Sequence, residues 1–313
     1  MISLLGGTFL GWSLGANDAA NIFGTAVTSK MIRFRTAAVL ASIFVILGAV
    51  VSGQAGIETL KGLTSFDLEQ AVISSVAAAL TVAVMTILGL PVSSNQSMVG
   101  AILGIGILNN QINLNGLGKV MVCWLGTPVG ALMIACLCYR FLAMLYNKLD
   151  LNIFKSDVLI RIGLVFAGIY GAFALGANST ASVAAVFVGA GLIHIFSATL
   201  IGGASISLGI LTYSRPVMET VGKKLVRLDP FSALVVSLSM AATIHFYTFI
   251  GVPVSTSQAV VGSILGVGMI KGARTISKKT LKHILTGWIL TPVVACFFSL
   301  AIDFIVHLKY VPE

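Results

Sequence analysis

The stretch Gly89 to Ile107, GLPVSSNQSMVGAILGIGI, occurs twice. It returns at Gly251 to Met269 as GVPVSTSQAVVGSILGVGM, 162 residues later, with 11 of 19 positions identical. Each copy sets a Pro and a run of small hydroxyl and amide residues directly before an apolar, glycine-rich segment. Pro is tolerated in the first helical turn, and Ser, Thr and Asn side chains cap free amides, so both copies predict a helix N-terminus. Both copies lie between long apolar segments, which sets these polar starts at membrane depth. A buried helix start presents bare N–H groups and the positive end of a dipole, and that is a site for an anion.

The membrane setting follows from composition. The 313 residues are 57% hydrophobic and 9% charged, with a mean hydropathy of +1.03. A soluble core cannot absorb that much apolar sequence, so the fold class expected is an all-α polytopic membrane protein. Apolar segments run near 2–28, 36–56, 70–88, 91–108 and 119–146, then 158–189, 198–214, 231–250, 253–270 and 283–306. The net charge of +9 reads as topology, because no basic patch interleaved with aromatics accompanies it and no nucleic-acid partner is expected. Met1 leads almost directly into the first span, so no removed signal peptide is expected. Cys123, Cys136, Cys138 and Cys296 fall in apolar segments without metal-ligand spacing and read as small packing residues.

The duplication extends beyond the opening stretch. LGANDAANIFGTAV from Leu14 reappears, weakened, as LGANSTASVAAVFV from Leu175. Ile57-Glu58-Thr59-Leu60 answers Met218-Glu219-Thr220-Val221, and the Trp124 to Pro128 segment answers Trp288 to Pro292. The offset stays between 161 and 164, which marks a whole-half repeat. The expected division is a first repeat over 1–146, a cytoplasmic connector over 147–157 and a second repeat over 158–313.

Loop charges give the relation between the halves. The loop after the first span carries Lys30, Arg33 and Arg35, while its counterpart near 190–196 carries no formal charge. The next loop reverses this, with Glu58, Asp67 and Glu69 against Lys61, but Arg215, Lys223, Lys224 and Arg227 against Glu219 and Asp229. After the repeated segment, 109–119 holds only Lys119, whereas 271–282 holds Lys271, Arg274, Lys278, Lys279 and Lys282. Basic loops stay cytoplasmic, so the halves are expected in opposite orientations, with both termini outside a cell inner (plasma) membrane. About five spans per half, an odd number, gives the same answer. Inverted-topology repeats with discontinuous helices meeting at the midplane are the architecture of secondary transporters. A channel or a membrane scaffold is the competing reading.

Asp18 is the residue that most needs a reason. It interrupts the first span within Gly15-Ala16-Asn17-Asp18, and an ionised Asp at mid-span costs about 2.5 kcal/mol or more. The pattern makes it a ligand for a coupling cation, a possible Na+ site, with Asn17 and Asn21 as oxygen donors, since oxygen-only ligation suits hard ions. The alternative is an Asp capping a kinked helix. Ser93, Ser94 and Asn95, with Ser255, Thr256 and Ser257, are the candidate oxyanion contacts, because hydroxyl, amide and backbone donors hold a phosphate or sulfate without a buried Arg. Gln96 and Gln258, one turn further in, read as ion ligands or as ordinary caps. Glu58 and Glu219 sit at span ends as gating or solvated acids, while His245 and Asp303 read as a satisfied buried His and an interfacial acid. No nucleotide-binding glycine loop, HExxH or nucleophile-elbow triad is present, so no enzyme activity and no organic cofactor are expected.

Together GANDAAN at Gly15 to Asn21 and the two copies of G-x-P-V-S-[ST] resemble the inorganic phosphate transporter (PiT) family, which includes phosphate and sulfate permeases. The resemblance covers both halves. It implies a secondary active symporter that brings in an inorganic oxyanion with Na+ or H+, often as a homodimer. Carried over by position, Asn17 and Asp18 match the first GAND motif and Asn178 its second copy, which implies Asn17 and Asn178 among the substrate contacts and Ser179, with Asp18, at the coupling cation. Ser93, Ser94, Ser255 and Thr256 match the family's anion-holding helix starts. Three departures stand out. Ser179 replaces the second acid, and Ser182 replaces the later Asn. Asn95-Gln96 and Ser257-Gln258 stand where the family has Thr-His, and its large hydrophilic loop is absent. Losing one acid removes a cation ligand and a negative charge beside the anion, which favours a proton-coupled or sulfate-selective variant over double Na+ coupling.

Overall fold

The structure is a computed structural model that describes residues 2–87, 92–224, 228–272 and 278–308. After a 3-10 turn (Ile2–Leu4), the described chain forms α1 (Leu5–Thr28), α2 (Phe34–Ser52), α3 (Gln54–Lys61), α4 (Leu68–Ile87), α5 (Ser94–Leu108) and α6 (Leu114–Lys148). The second half adds α7 (Ile153–Gly189), α8 (Ile195–Lys224), α9 (Pro230–Phe249), α10 (Thr256–Lys271) and α11 (Lys278–Leu308). No strand occurs among the described residues, and seven helices are long and apolar enough to cross a membrane. Side-chain caps fix several starts. Asn113, Asn152 and Asp229 each accept a hydrogen bond from the amide three residues on, at 2.9 Å. Pro230 occupies the first turn of α9, where its missing N–H costs nothing.

The interruptions do not all fall where the sequence suggests. The polar run Gly15 to Asn21 leaves α1 unbroken, and GANSTAS leaves the 37-residue α7 unbroken. The chain breaks instead at the two repeated stretches, between α4 and α5 and between α9 and α10. Gly89 to Pro91, Arg227 and Arg274 lie outside the described residues, as do the side chains of Glu219, Lys223, Lys224, Lys278 and Lys279.

In each half the helices before and after the repeated stretch pair antiparallel, as a hairpin. The end of α5 returns to the start of α4, where Asn109 and Gln70 exchange amide hydrogen bonds of 3.0 and 3.1 Å. The end of α10 returns to the start of α9, where Lys271 is ion-paired with Asp229. The long helix α6 orders the two hairpins along one axis. It starts where Asn113 binds the backbone of Gly62 and Leu63, beside the open end of the first hairpin. Further along, Trp124 donates to the Pro253 carbonyl at 3.3 Å, at the tip of the second hairpin. Near its end, Tyr139 and Tyr146 meet Phe231, at that hairpin's open end. The hairpins therefore open on opposite faces of the bundle. The first face carries Glu58, Lys61, Asp67 and Glu69. The second carries the α6–α7 turn, Lys271 and the loop after α1, where Arg161 binds the Met31 carbonyl at 3.3 Å.

Close helix contacts recur with the halves exchanged. A Cβ on Gly100 would strike the Pro292 backbone of α11, and one on Gly262 the Pro128 carbonyl of α6. Likewise Gly15 lies against the Ile206 backbone of α8, and Gly176 against the Val45 backbone of α2. Lipid is as apolar as Leu, so helices in a bilayer are held by such close van der Waals approach, not by water exclusion. Leu125, Val129, Phe297 and Phe304 on α6 and α11 point outward, as lipid-facing residues do.

Candidate functional site

The two repeated stretches build two helix starts that meet inside the bundle. Ser93 and Ser255 are in extended conformation, and each hydroxyl accepts from the backbone amide of the Gln three residues on, at 3.4 Å in both copies. These are the longest side-chain caps among the described helices, so the amides of the first turns are only weakly engaged. Ser94 and Thr256 open the helices. Ser93, Ser94, Ser255 and Thr256 are all buried, and Ser257 is half-buried with its hydroxyl 2.8 Å from that of Ser255. Two positive helix ends with hydroxyls attached are thus withdrawn from the bundle surface.

A polar network joins the starts. Asn95 donates from Nδ2 to the Val254 carbonyl at 2.5 Å, linking α5 to the tip of the other hairpin. Asn178 on α7 reads the same backbone unit twice, accepting from Val254 N–H and donating to Val254 O, both at 2.8 Å. Ser182, one turn further along α7, donates to Asn95 Oδ1 at 2.7 Å. Asn178 also reaches Ser179 Oγ at 3.4 Å, and Ser179 is fully enclosed. The amides of Asn95 and Asn178 are engaged within the protein, so here they position the helix starts.

Across the site, α1 presents Asn17, Asp18 and Asn21, all half-buried. Asn21 donates to Asp18 Oδ1 at 3.5 Å, and Thr256 at the start of α10 is another polar neighbour of that carboxylate. Asn17 makes no side-chain hydrogen bond among the described residues. The oxygens Gln96 Oε1 and Gln258 Oε1 are buried without a hydrogen-bond partner. Unpartnered buried acceptors at equivalent positions of both halves are costly unless something else satisfies them, and a cation or a protonated oxyanion would do so. The arrangement offers neutral donors and helix ends that suit an anion, and carboxylate and amide oxygens that suit a hard cation.

Residues outside the site take ordinary partners. Glu58 pairs with Lys61 at 2.6 Å on the first face, and His245 Nδ1 lies 3.0 Å from the Tyr170 hydroxyl. Asp303 is 3.4 Å from His307, and the four cysteines are unpaired. Among the described residues no cluster of His, Cys, Asp or Glu could hold a metal ion. The residue the sequence underrated is Ser182, which reads only as a lost Asn. Its distance from Asn178 is the signal available, since a four-residue step places both on one face of α7.

Lipid-facing spans around two converging helix starts and a carboxylate inside a span define a polytopic membrane transporter. Similarity to known proteins narrows that class. The family model described as the phosphate transporter family matches residues 14–299, and the chain belongs to that family. A relative from Methanocaldococcus jannaschii, named "Putative phosphate permease", is 33% identical, with 94% of each chain covered. The sulfate permease CysP of Bacillus subtilis is 29% identical over 97% of this chain and 86% of its own. Among solved structures, one named "The sodium-dependent phosphate transporter" superposes with a TM-score of 0.84 at 25% identity, covering 98% of both chains.

Proposed function

We propose that this protein is a secondary active symporter that imports phosphate with Na+ as the coupling ion. The observation that carries the reading is the meeting of two buried, Ser-capped helix starts beside Asp18, at the Asn95–Val254 contact. The anion is held by first-turn amides and the hydroxyls of Ser93, Ser94, Ser255, Thr256 and Ser257. Its charge is stabilised by both helix dipoles and costs no buried Arg. Asp18 carries a charge that cannot stay alone at this depth, so a cation binds with it, helped by Asn21 and by the free oxygens of Gln96 and Gln258. That cation offsets the anion, and each ion raises the affinity for the other. Likeness to a solved transporter named as sodium-dependent supports Na+. The exchanged glycine contacts support inverted repeats, 1–146 and 158–313, around the connector 147–157. The basic second face then lies in the cytoplasm and both termini lie outside the plasma membrane.

Sulfate is the second reading, favoured by Ser179 in place of an acid and by the likeness to the sulfate permease. Uptake of labelled phosphate and of labelled sulfate into proteoliposomes, with Na+ and pH gradients imposed separately, decides both substrate and coupling ion. Uphill phosphate uptake driven by the Na+ gradient is expected. Uphill flux driven only by the pH gradient would replace Na+ with H+, and flux that only runs downhill would make the protein a channel.

A further inference from the structure

The polar network around Val254 has a counterpart in the other half, and that counterpart is not formed. By the repeat offset Asn178, Ser182, Asn95 and Val254 answer to Asn17, Asn21, Ser257 and Val92. In the first set Asn178 binds Val254 N–H and O, Asn95 binds Val254 O, and Ser182 binds Asn95. In the second set none of these bonds exists among the described residues. Asn21 turns to Asp18, Ser257 to Ser255, and neither Asn17 nor Val92 has a polar partner among those residues. Burial follows the same division. Every member of the first set is exposed by 3% or less, and every member of the second is half-buried.

The formed set is covered from the first face. The short helix α3 lies on it, where a Cβ on Gly56 would meet Ala181 at 3.1 Å and Pro253 at 4.0 Å. A two-fold arrangement with one side bonded and sealed and the other unbonded and open is one of two equivalent states. Exchanging the roles of the halves produces the other state at no new cost in design.

We infer that Ser182 and Asn21 are positioning residues of two mutually exclusive latches, and that transport alternates between them. In the observed state, Ser182 orients Asn95 and the first face is shut. In the other state Asn17 pairs with the backbone of Val92, Asn21 orients Ser257, and the Asn178–Val254 pairing opens. Asn21 then leaves Asp18, so the latch exchange also changes the cation's ligand set. This rests on the transporter reading above, but its test does not depend on which anion is carried.

Two double-cysteine variants test it, Ser182→Cys with Asn95→Cys and Asn21→Cys with Ser257→Cys. Bridging by Cd2+ is read as protection of those peptides from maleimide, so that native cysteines do not interfere. The first pair is expected to bridge in substrate-free protein. The second is expected not to bridge in substrate-free protein, and because Asn21 and Ser257 also contact the ions, the response to Na+ with phosphate or sulfate is read on the unmodified protein. Adding Ser182→Ala to the second pair should bring its bridging into substrate-free protein, a change that mere loss of stability would not produce. Hydrogen exchange on the unmodified protein guards against misfolded variants, with the Val254 amide expected to exchange more slowly than that of Val92 until both ions are added. Equal bridging of both pairs without substrate, failure of the second pair under every condition, or equal exchange at the two amides would each overturn the inference. Absence of all uptake by the unmodified protein would sink the transporter reading instead.

Discussion

Ser182 Oγ on α7 lies 2.7 Å from Asn95 Oδ1 at the start of α5, so a side chain of the second half sets the rotamer of one in the first. With Oδ1 occupied, Asn95 can only turn Nδ2 toward the Val254 carbonyl. The direction of the α5 start is therefore inherited from α7. The two halves are joined at the point where each offers a helix N-terminus.

Asn178→Ala leaves the fully buried Val254 N–H without its acceptor and takes one of two donors from the Val254 carbonyl, which keeps Asn95. Each buried group left unsatisfied costs about 1–3 kcal/mol, whereas an ordinary surface substitution costs far less. The thermal midpoint in detergent is expected to fall clearly below that of the unmodified protein. Asn178→Asp, which keeps an acceptor for the Val254 N–H but buries an unpaired carboxylate against the Val254 carbonyl, should not recover the loss. Equal midpoints for the Ala variant and the unmodified protein would show that the pairing contributes nothing.

Two glycine substitutions should move stability in opposite directions. Gly176→Ala drives a Cβ into the Val45 backbone, where no flexible side chain can give way. Overpacking of that kind costs about 1–3 kcal/mol. Gly118→Ala in α6 meets nothing within 4 Å and gains about 0.5–1 kcal/mol from restricting the unfolded chain. Thermal unfolding of both variants side by side checks the sign of each.

Much of this fold is legible in the sequence because its determinants are local. Pro-Val-Ser before an apolar run dictates a helix start, and the reversal of Lys and Arg between equivalent loops is what carries the inverted topology proposed above. What misleads is the run Gly15 to Asn21, which has the composition of a break but sits in an unbroken α1. Gly15 is there for the approach of α8, a tertiary demand that local propensity cannot express. The network around Val254 is illegible for a different reason. Its centre is a backbone unit, and any residue type but Pro supplies the same N–H and C=O.

At the second face, burial pushes the Asp229 carboxyl up, but hydrogen bonds from Lys271 and Ser232 outweigh that and hold it at about 2. A carboxyl lower in the folded than in the unfolded state binds fewer protons when folded, so stability rises with pH through that window. Its contribution is present above about pH 4, the unfolded range, and fades as pH falls toward 2. The thermal-midpoint difference between the unmodified protein and Asp229→Asn should therefore shrink on acidification. The effect is small, because the pair is about two-fifths exposed and screened by solvent. A difference that grows with acid would contradict the assignment.

Asp18→Asn keeps the shape of the side chain beside Thr256 but removes the charge that, in the function proposed above, brings a cation into the span. Gradient-driven uptake is expected to fall by about tenfold or more, a loss of about 1.4 kcal/mol or more. Folding should be retained, since a neutral side chain at this depth is less costly than a charged one. Na+-driven uptake that survives Asp18→Asn would remove Asp18 from the coupling site.

Ser179→Asp restores an acid to the second copy of the motif that holds Asp18. Ser179 is fully enclosed and next to Asn178, so a carboxylate there has no water to meet. An uncompensated charge in that position is too costly to persist, and a second cation is the natural partner where oxygen donors are already close. With Na+ present, uptake should depend on Na+ more steeply than in the unmodified protein. With Na+ withheld, the extra negative charge repels the anion, and the apparent affinity for phosphate or sulfate should drop. Uptake measured against Na+ at fixed anion, and against anion at fixed Na+, separates the two effects. If the steepness and the anion affinity are both unchanged, Ser179 lies outside the reach of either ion, and the lost acid does not set the stoichiometry.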